Sequence, residues 1–285
     1  MIRIGLTGWG DHAELYGKGV SAKDKLRVYS RHFPIVEIDS SFYAVQSQHN
    51  YQRWVEQTPE HFSFLIKAYQ GMTGHSRGKP QPYAGPGEMF DAFLHSIEPV
   101  LQADKLNAIL FQFPPWFDCT VDNVRQLKAI RKWMGDLPLA IEFRNPSWFE
   151  PSTRQRTLEF MKDEGWFHVV CDEPQIGQGS VPIVAEPGAP GKTFIRLHGR
   201  NAEGWKMSSA PNWREIRTLY RYSTSELSEW REYVEELVAK GAGDIFMIFN
   251  NNSGGDAADN AKEMMSLLGM TPVASAPKQL DLFGE

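Results

Sequence analysis

Eight times along this chain, a short run of alternating apolar residues marks a β-strand: residues 2–7, 35–39, 62–67, 108–112, 139–144, 168–172, 193–198 and 245–249. Segments of helical period lie between most of them, at 21–32, 48–57, 88–102, 122–133, 153–164 and 225–240, and a last one follows at 256–268. Strands that alternate with helices require a parallel sheet, because each return connection must cross a sheet face. Eight such units are the number that closes a sheet on itself, so the pattern predicts a TIM-type (β/α)8 barrel. An open doubly wound sheet is the alternative, but it does not require eight units and the first turn lacks its glycine fingerprint. Long loops are expected after strands three (68–87) and seven (199–224). The sixth crossover, 173–192, is rich in Gly and Pro and shows no helical period. Residues 1–270 read as one barrel domain and 271–285 as a flexible tail.

The ends of the strands carry the chemistry. In the fifth, Leu139, Ile141 and Phe143 alternate with Ala140, Glu142 and Arg144, and side chains on a strand point to opposite faces in turn. One face is apolar; the other ends in a carboxylate beside a guanidinium, and Asn145-Pro146 stops the strand. An inward charge is costly to bury unless it is paired or used. Barrel active sites lie at the carboxyl ends of the strands. There the chain places Trp9, Glu37, Asp39, Lys67, Gln112, Glu142, Arg144, Asp172, Arg196, His198, Asn250 and Asn251. Any one of these, taken alone, reads more readily as an ordinary loop-rim residue. The full set argues for a shared cup.

Composition narrows the function classes. A net charge of −5 with no basic tract excludes a nucleic-acid glove over the whole surface, though a local basic pocket, and direct nucleic-acid binding with it, stays open. Two cysteines, Cys119 and Cys171, make neither a disulfide framework nor a zinc site. The first strand begins at Ile2 without a secretory signal, and no apolar run approaches the ~18 residues of a membrane span. A cytoplasmic protein with no membrane partner is the expectation.

Several stretches resemble the YecE-like family, the domain of unknown function seventy-two. They are Gly5-Leu6-Thr7-Gly8-Trp9, Val36 through Tyr43, Phe64-Leu65-Ile66-Lys67-Ala68, Phe111-Gln112-Phe113-Pro114, Ile141-Glu142-Phe143-Arg144 with Trp148, Arg196 through Arg200, and Phe249-Asn250-Asn251 with Asn260-Ala261. The resemblance implies a TIM-type barrel and brings no established reaction. Family members tend to carry Asn where this chain has Asp39, which adds a carboxylate to the cup.

The constellation sets Glu37, Asp39, Glu142 and Asp172 against Lys67, Arg144, Arg196 and His198, unlike an all-acid cage for hard cations. The cations suit a phosphate or carboxylate group, which Arg grips with two hydrogen bonds. Residues 253–256 could seat an anion at the last helix, but Asp256 disfavours it, leaving Arg144, Arg196 and Lys67. Hydrolase- or lyase-type acid/base chemistry then falls to Glu37, Glu142, Asp172 and His198, since neighbouring carboxylates can take different protonation states. Trp9, Asp39, Tyr43, Lys67, Gln112, Arg144, Arg196, Asn250 and Asn251 would hold the small anionic substrate. Glu142, Asp172 and His198 form an alternative metal set, but no tight motif such as H-E-x-x-H supports it, so no metal ligand or cofactor is assigned. A non-catalytic binder of a small anion is the alternative to an enzyme.

Aromatics gather near the same mouth. Trp116 and Trp148 are expected to cap the core, while Trp9, Tyr43 and Trp205 are open to stacking on a ligand. The tail ends in Gln279-Leu280-Asp281-Leu282-Phe283, which resembles the bacterial sliding-clamp-binding pentapeptide at every position. One amide and three apolar side chains on a linker suit a groove on a partner, so recruitment as a replication or repair accessory factor is a second function class.

Overall fold

A computed structural model describes residues 1–270 except 18, 77, 79, 178–179, 189–190, 207–210, 213–215 and 253; the pentapeptide 279–283 lies outside the described residues. The strands are β1 (Ile2–Thr7), β2 (Ile35–Ile38), β3 (Ser63–Lys67), β4 (Leu106–Gln112), β5 (Leu139–Glu142), β6 (Trp166–Asp172), β7 (Lys192–Leu197) and β8 (Asp244–Phe249). They form a closed barrel in chain order, and every neighbouring pair is parallel, including β1 with β8.

The helices among the described residues are α1 (Lys25–Tyr29), α2 (Ser40–Tyr43), α3 (Gln48–Glu56), α4 (Pro86–Gln102), α5 (Val121–Met134), α6 (Arg154–Asp163), α7 (Ala202–Lys206), α8 (Thr224–Ala239) and α9 (Asp256–Leu267). Their starts follow local chemistry. Ser47 and Thr120 accept hydrogen bonds from the backbone of Asn50 and Asn123, and Ser223 forms a full capping box with Glu226. The caps lie one or two residues upstream of the starts read from periodicity. The four-residue α2 carries no period long enough to read. The described part of the sixth crossover holds no α-helix, as its composition implied.

Register divides the strands into two faces, because partners across a parallel pair share a side. Ile4, Leu6, Val36 and Ile38 face the helices and are fully buried. The inner face holds Phe194 beside Phe246 and Leu110 beside Ala140. One layer nearer the carboxyl ends it changes character: Thr7 pairs with Glu37, Gln112 with Glu142, and Cys171 with Arg196. The apolar layers therefore form a floor under a polar one. Close approach is needed low in the barrel, where a Cβ on Gly5 would lie 2.1 Å from the Ile35 carbonyl oxygen. No helix among the described residues is long and apolar enough to cross a membrane.

Candidate functional site

The polar layer is a closed charge network. Arg196 on β7 reaches across the barrel to β2, donating Nε to Glu37 Oε2 at 2.8 Å and Nη2 to Glu37 Oε1 at 2.7 Å. Its Nη1 donates to Glu142 Oε2 at 2.6 Å and lies 3.5 Å from Gln112 Oε1. Arg144, two residues beyond Glu142, puts Nε 2.5 Å from Glu142 Oε1 and pairs through Nη1 with Glu173. Its Nη2 stands 2.9 Å from His198 Nε2. Glu37, Glu142, Glu173, Arg144, Arg196 and His198 are all buried. Groups from β2, β5, β6 and β7 thus share one cup.

Guanidinium cannot accept a hydrogen bond, so His198 Nε2 must accept and the ring proton sits on Nδ1. That nitrogen lies 2.9 Å from the Asn250 side-chain amide; an Nδ1 proton requires that amide to present its oxygen, a reversal of the assigned amide. Burial, then the charge on Arg144, hold His198 well below the usual imidazole range, against the opposite pull of Glu142. The ring is therefore a neutral positioned group and not a ready proton acceptor.

The carboxylates are driven apart. Burial alone would raise Glu142, but Arg144, Arg196 and His198 outweigh it and hold its carboxyl well below the ordinary range. Burial raises Glu173 against Arg144, and raises Glu37 against Arg196. Glu142 Oε1 lies 2.5 Å from Arg144 Nε and 3.5 Å from His198 Nε2, yet receives a well-aligned hydrogen bond from neither. Thr7 Oγ1, from the same layer, is also buried and has no hydrogen-bond partner among the described residues.

Above the network stands a more accessible rim. Lys67 binds Asp39 at 2.8 Å and lies 4.5 Å from the Phe42 ring centre. Gln112 and Asn250 are half-buried, and Tyr43 is exposed. Trp205, on α7, has Arg144 and Arg217 at 5.7 and 5.2 Å from ring centres. Burial and the nearby Arg144 push Arg217 down to about 10. Trp9 is half-buried and packs edge-on to Trp54 at 5.2 Å. Asn251 is fully buried and bonds Asn260 and the Tyr220 carbonyl, so it ties α9 to the insertion after β7 and stands apart from the cup.

Three further expectations need correction. Asp172 points outward: Cys171, not Asp172, pairs in register with Arg196. The Asp172 carboxylate accepts from Trp230 Nε1 on α8 at 2.8 Å and from Arg200 Nε at 3.0 Å. Gly199, at φ +86°, turns the chain after His198 and brings Arg200 to it. The inward carboxylate from this strand end is Glu173, which the sequence reading missed. Arg144 and Arg196 are not open anion clamps, since each guanidinium is already committed to carboxylates and is at most 5% exposed. Trp116 is no core cap: it is 51% exposed, whereas Trp148 is 1% exposed and stacks on Phe143 at 4.0 Å.

With Asp172 turned away, the side chains among the described residues that could hold a metal are Glu142, Cys171 and His198, whose donor atoms lie within 4.8 Å of one another. A divalent cation there would sit against Arg144 and Arg196, and His198 Nε2 already faces Arg144. The donor set does not fit. The loop into α9 is no better placed for an anion, because Asp256 and Asp259 stand in its first turn and pair with Arg221.

The profile of the family described as "Protein of unknown function DUF72" matches residues 3–281. UPF0759 protein YunF of Bacillus subtilis (strain 168) is 55% identical over 284 residues, covering 99% of this chain and 100% of the relative. UPF0759 protein YecE of Escherichia coli (strain K12) is 27% identical over 167 residues, 55% of this chain and 54% of its own length. Among solved structures, a DUF72 family protein from Enterococcus faecalis V583 superposes with a TM-score of 0.90 at 41% identity, covering 99% of this chain and 100% of that one. One from Thermotoga maritima MSB8 gives 0.80 at 29% identity, covering 94% and 99%. The match in sequence along nearly the whole chain, together with the shared barrel, establishes that this chain belongs to the DUF72, or YecE-like, family.

Proposed function

We propose that the barrel mouth is an acid/base catalytic site for a small substrate bearing a carboxylate or phosphate group. The observation that carries this reading is the protonation asymmetry inside one buried cluster: Glu142 is held ionised while Glu37 and Glu173 are pushed toward the protonated form. Well-packed apolar residues in place of a buried ion cluster are often as stable or more so, so stability alone is a weak reason to keep one. Separated protonation states give adjacent carboxyls separate roles in one site. Glu37 and Glu173, raised by burial, are the proton carriers, Glu173 in the place first given to Asp172, and Glu142, whose Oε1 lacks an aligned donor, is the fixed negative charge beside them. Arg196 and Arg144 fix these carboxylates. The substrate's anionic group is carried at the rim by Lys67 and Arg217, whose depressed guanidinium an anion would restore. Gln112, Asn250 and Trp205 flank it. The test is to incubate the protein with a panel of small hydroxy acids, amino acids and phosphate monoesters and follow conversion by NMR. Wild type is expected to convert at least one class, with Glu173→Gln slowed about 100-fold or more. Equal rates in the two proteins would remove the assignment.

We propose separately that residues 279–283 recruit the protein to a bacterial sliding clamp. The complete pentapeptide supports this, as does its position past α9, after the barrel is already closed. Surface plasmon resonance on immobilised clamp is expected to give binding that is lost when Leu282 and Phe283 are both changed to Ala. Equal signals from the two proteins would end the idea.

A further inference from the structure

A cavity lies on the same end of the barrel, outside the charge network. It occupies about 600 Å³ between the loop after β3 and the segment joining β4 to α5. That is within the size range of small-molecule pockets, about 300–1,000 Å³. None of Glu37, Glu142, Arg144, Arg196 and His198 lines it.

Its chemistry differs from that of the mouth. Thr73, Ser76, Gln81, Asn123 and Gln126 supply hydroxyl and amide groups. Among the described lining residues Asp118 is the only charged one. Asn123 Nδ2 donates to Asp118 Oδ1 at 2.9 Å, which orients the carboxylate and leaves Oδ2 with no hydrogen bond among the described residues. Beside it stands Trp116, half exposed, whose ring contact among the described residues is an edge-on approach to His75 at 6.0 Å. Leaving half of an indole in water forgoes part of the gain from burying it. The floor is kept low by Gly71, where a Cβ would come within 2.6 Å of Met89 Sδ.

We infer that this cavity is a saccharide-binding subsite. An apolar ring face would rest on Trp116, while the ring hydroxyls meet the Asp118 carboxylate and the Asn123 and Gln126 amides. The lining favours a saccharide over the alternatives. A phosphate or carboxylate ligand would meet the like charge of the Asp118 carboxylate. A nucleobase could stack here too, since Tyr83 and Phe117 also line the cavity; what favours a saccharide is the number of side chains that match hydroxyls, Thr73, Ser76, Gln81, Asp118, Asn123 and Gln126. The subsite is coupled to the rim through edge-on rings, Phe42 to His75 at 5.0 Å and His75 to Trp116, with Phe42 in turn beneath Lys67. It stands independently of the acid/base proposal.

The test is isothermal titration of the full chain with maltose, cellobiose, chitobiose and, as the competing class, adenosine. At least one disaccharide is expected to bind saturably below about 10 mM, with adenosine at least tenfold weaker. Trp116→Ala and Asp118→Asn should each weaken that binding at least tenfold, while the melting temperature and circular dichroism spectrum of Trp116→Ala stay those of wild type. Failure of every disaccharide to bind, tighter binding of adenosine, or affinity unchanged in both variants would each overturn the inference.

Discussion

Arg196 and Glu37 lie 159 positions apart in sequence and meet across the barrel in a two-pronged ion pair, Nε to Oε2 and Nη2 to Oε1. Both side chains are buried, at 1% and 0% exposure. Arg196 also serves Glu142, so its loss breaks the pair with Glu37 and leaves Glu142 to Arg144, whereas loss of Glu37 leaves Arg196 still paired with Glu142. Breaking a buried pair costs about 3–5 kcal/mol. Arg196→Ala is therefore expected to destabilise by at least that amount and by more than Glu37→Ala, measured by urea unfolding at neutral pH. A smaller loss in Arg196→Ala would show that Glu37 and Glu142 are not held by it.

His198 is expected to remain neutral with its proton on Nδ1 from about pH 5 to about pH 8, the window in which an ordinary histidine titrates. Burial comes first among the causes, then the charge on Arg144. Its folded value is depressed, so the neutral form persists until the pH is well below the ordinary 6.5. Nitrogen NMR of labelled imidazole rings reads both charge and tautomer. A His198 resonance that titrates inside that window would contradict the hydrogen-bond assignment made here.

Asp172 gives a prediction of the opposite kind, because its carboxylate braces β6 against α8 and the Arg200 loop. Asp172→Ala orphans the buried Trp230 Nε1 donor, at a cost of about 1–3 kcal/mol. Arg200 keeps Glu229 at 3.0 Å, so its guanidinium is not stranded. The variant should unfold earlier in urea, and turnover per folded molecule, once a substrate is known, should equal that of wild type. Lost turnover in folded protein would return Asp172 to the site.

The fate of Asp172 shows where the sequence was readable. The eightfold alternation located every strand to within two residues at each end, since β1, β2 and β5 show one apolar face and one that ends in charge. In β6 all seven residues are buried, so inward and outward positions look alike and the parity of Asp172 against Glu173 cannot be read from the pattern. The neighbouring strand settles the parity only through the register, which sets Cys171 beside Arg196 and so Glu173 on the same side, and that register is not written in the pattern. What no pattern carried was the pairing itself: which carboxylate each arginine takes depends on the barrel's closure, not on spacing. Thus the convergence of charge was legible, but its internal neutralisation was not.

The two tryptophans flanking the mouth separate core from surface. Trp148 is buried, stacks on Phe143 and donates Nε1 to the Phe117 carbonyl at 2.8 Å. Trp148→Ala is expected to cost about 3–5 kcal/mol. Trp116→Ala, at a half-exposed position, should stay within about 0.5 kcal/mol of wild type. Thermal unfolding of the two variants side by side checks the contrast, and comparable losses in both would mean that Trp116 belongs to the core after all.

Glu142 fixes the sign of the acid response. Its folded value is depressed below the ordinary 4.5, because Arg144, Arg196 and His198 outweigh burial. The stability it contributes is therefore complete above the unfolded value and is lost as pH falls through the folded one. Glu37 and Glu173 run the other way: burial raises them, so their contribution is complete below 4.5 and is lost as pH rises through their folded values. Glu142→Gln removes only the first of these dependences. At neutral pH the variant is expected to be less stable than wild type by about 3–5 kcal/mol, since Arg144 and Arg196 lose a shared partner. Below 4.5 the gap should narrow, because the unfolded wild-type chain then takes up a proton on Glu142 that the folded protein does not. Urea unfolding at a series of acidic pH values measures it, and a gap that stays constant or widens toward acid would mean that Glu142 is not the ionised member of the cluster.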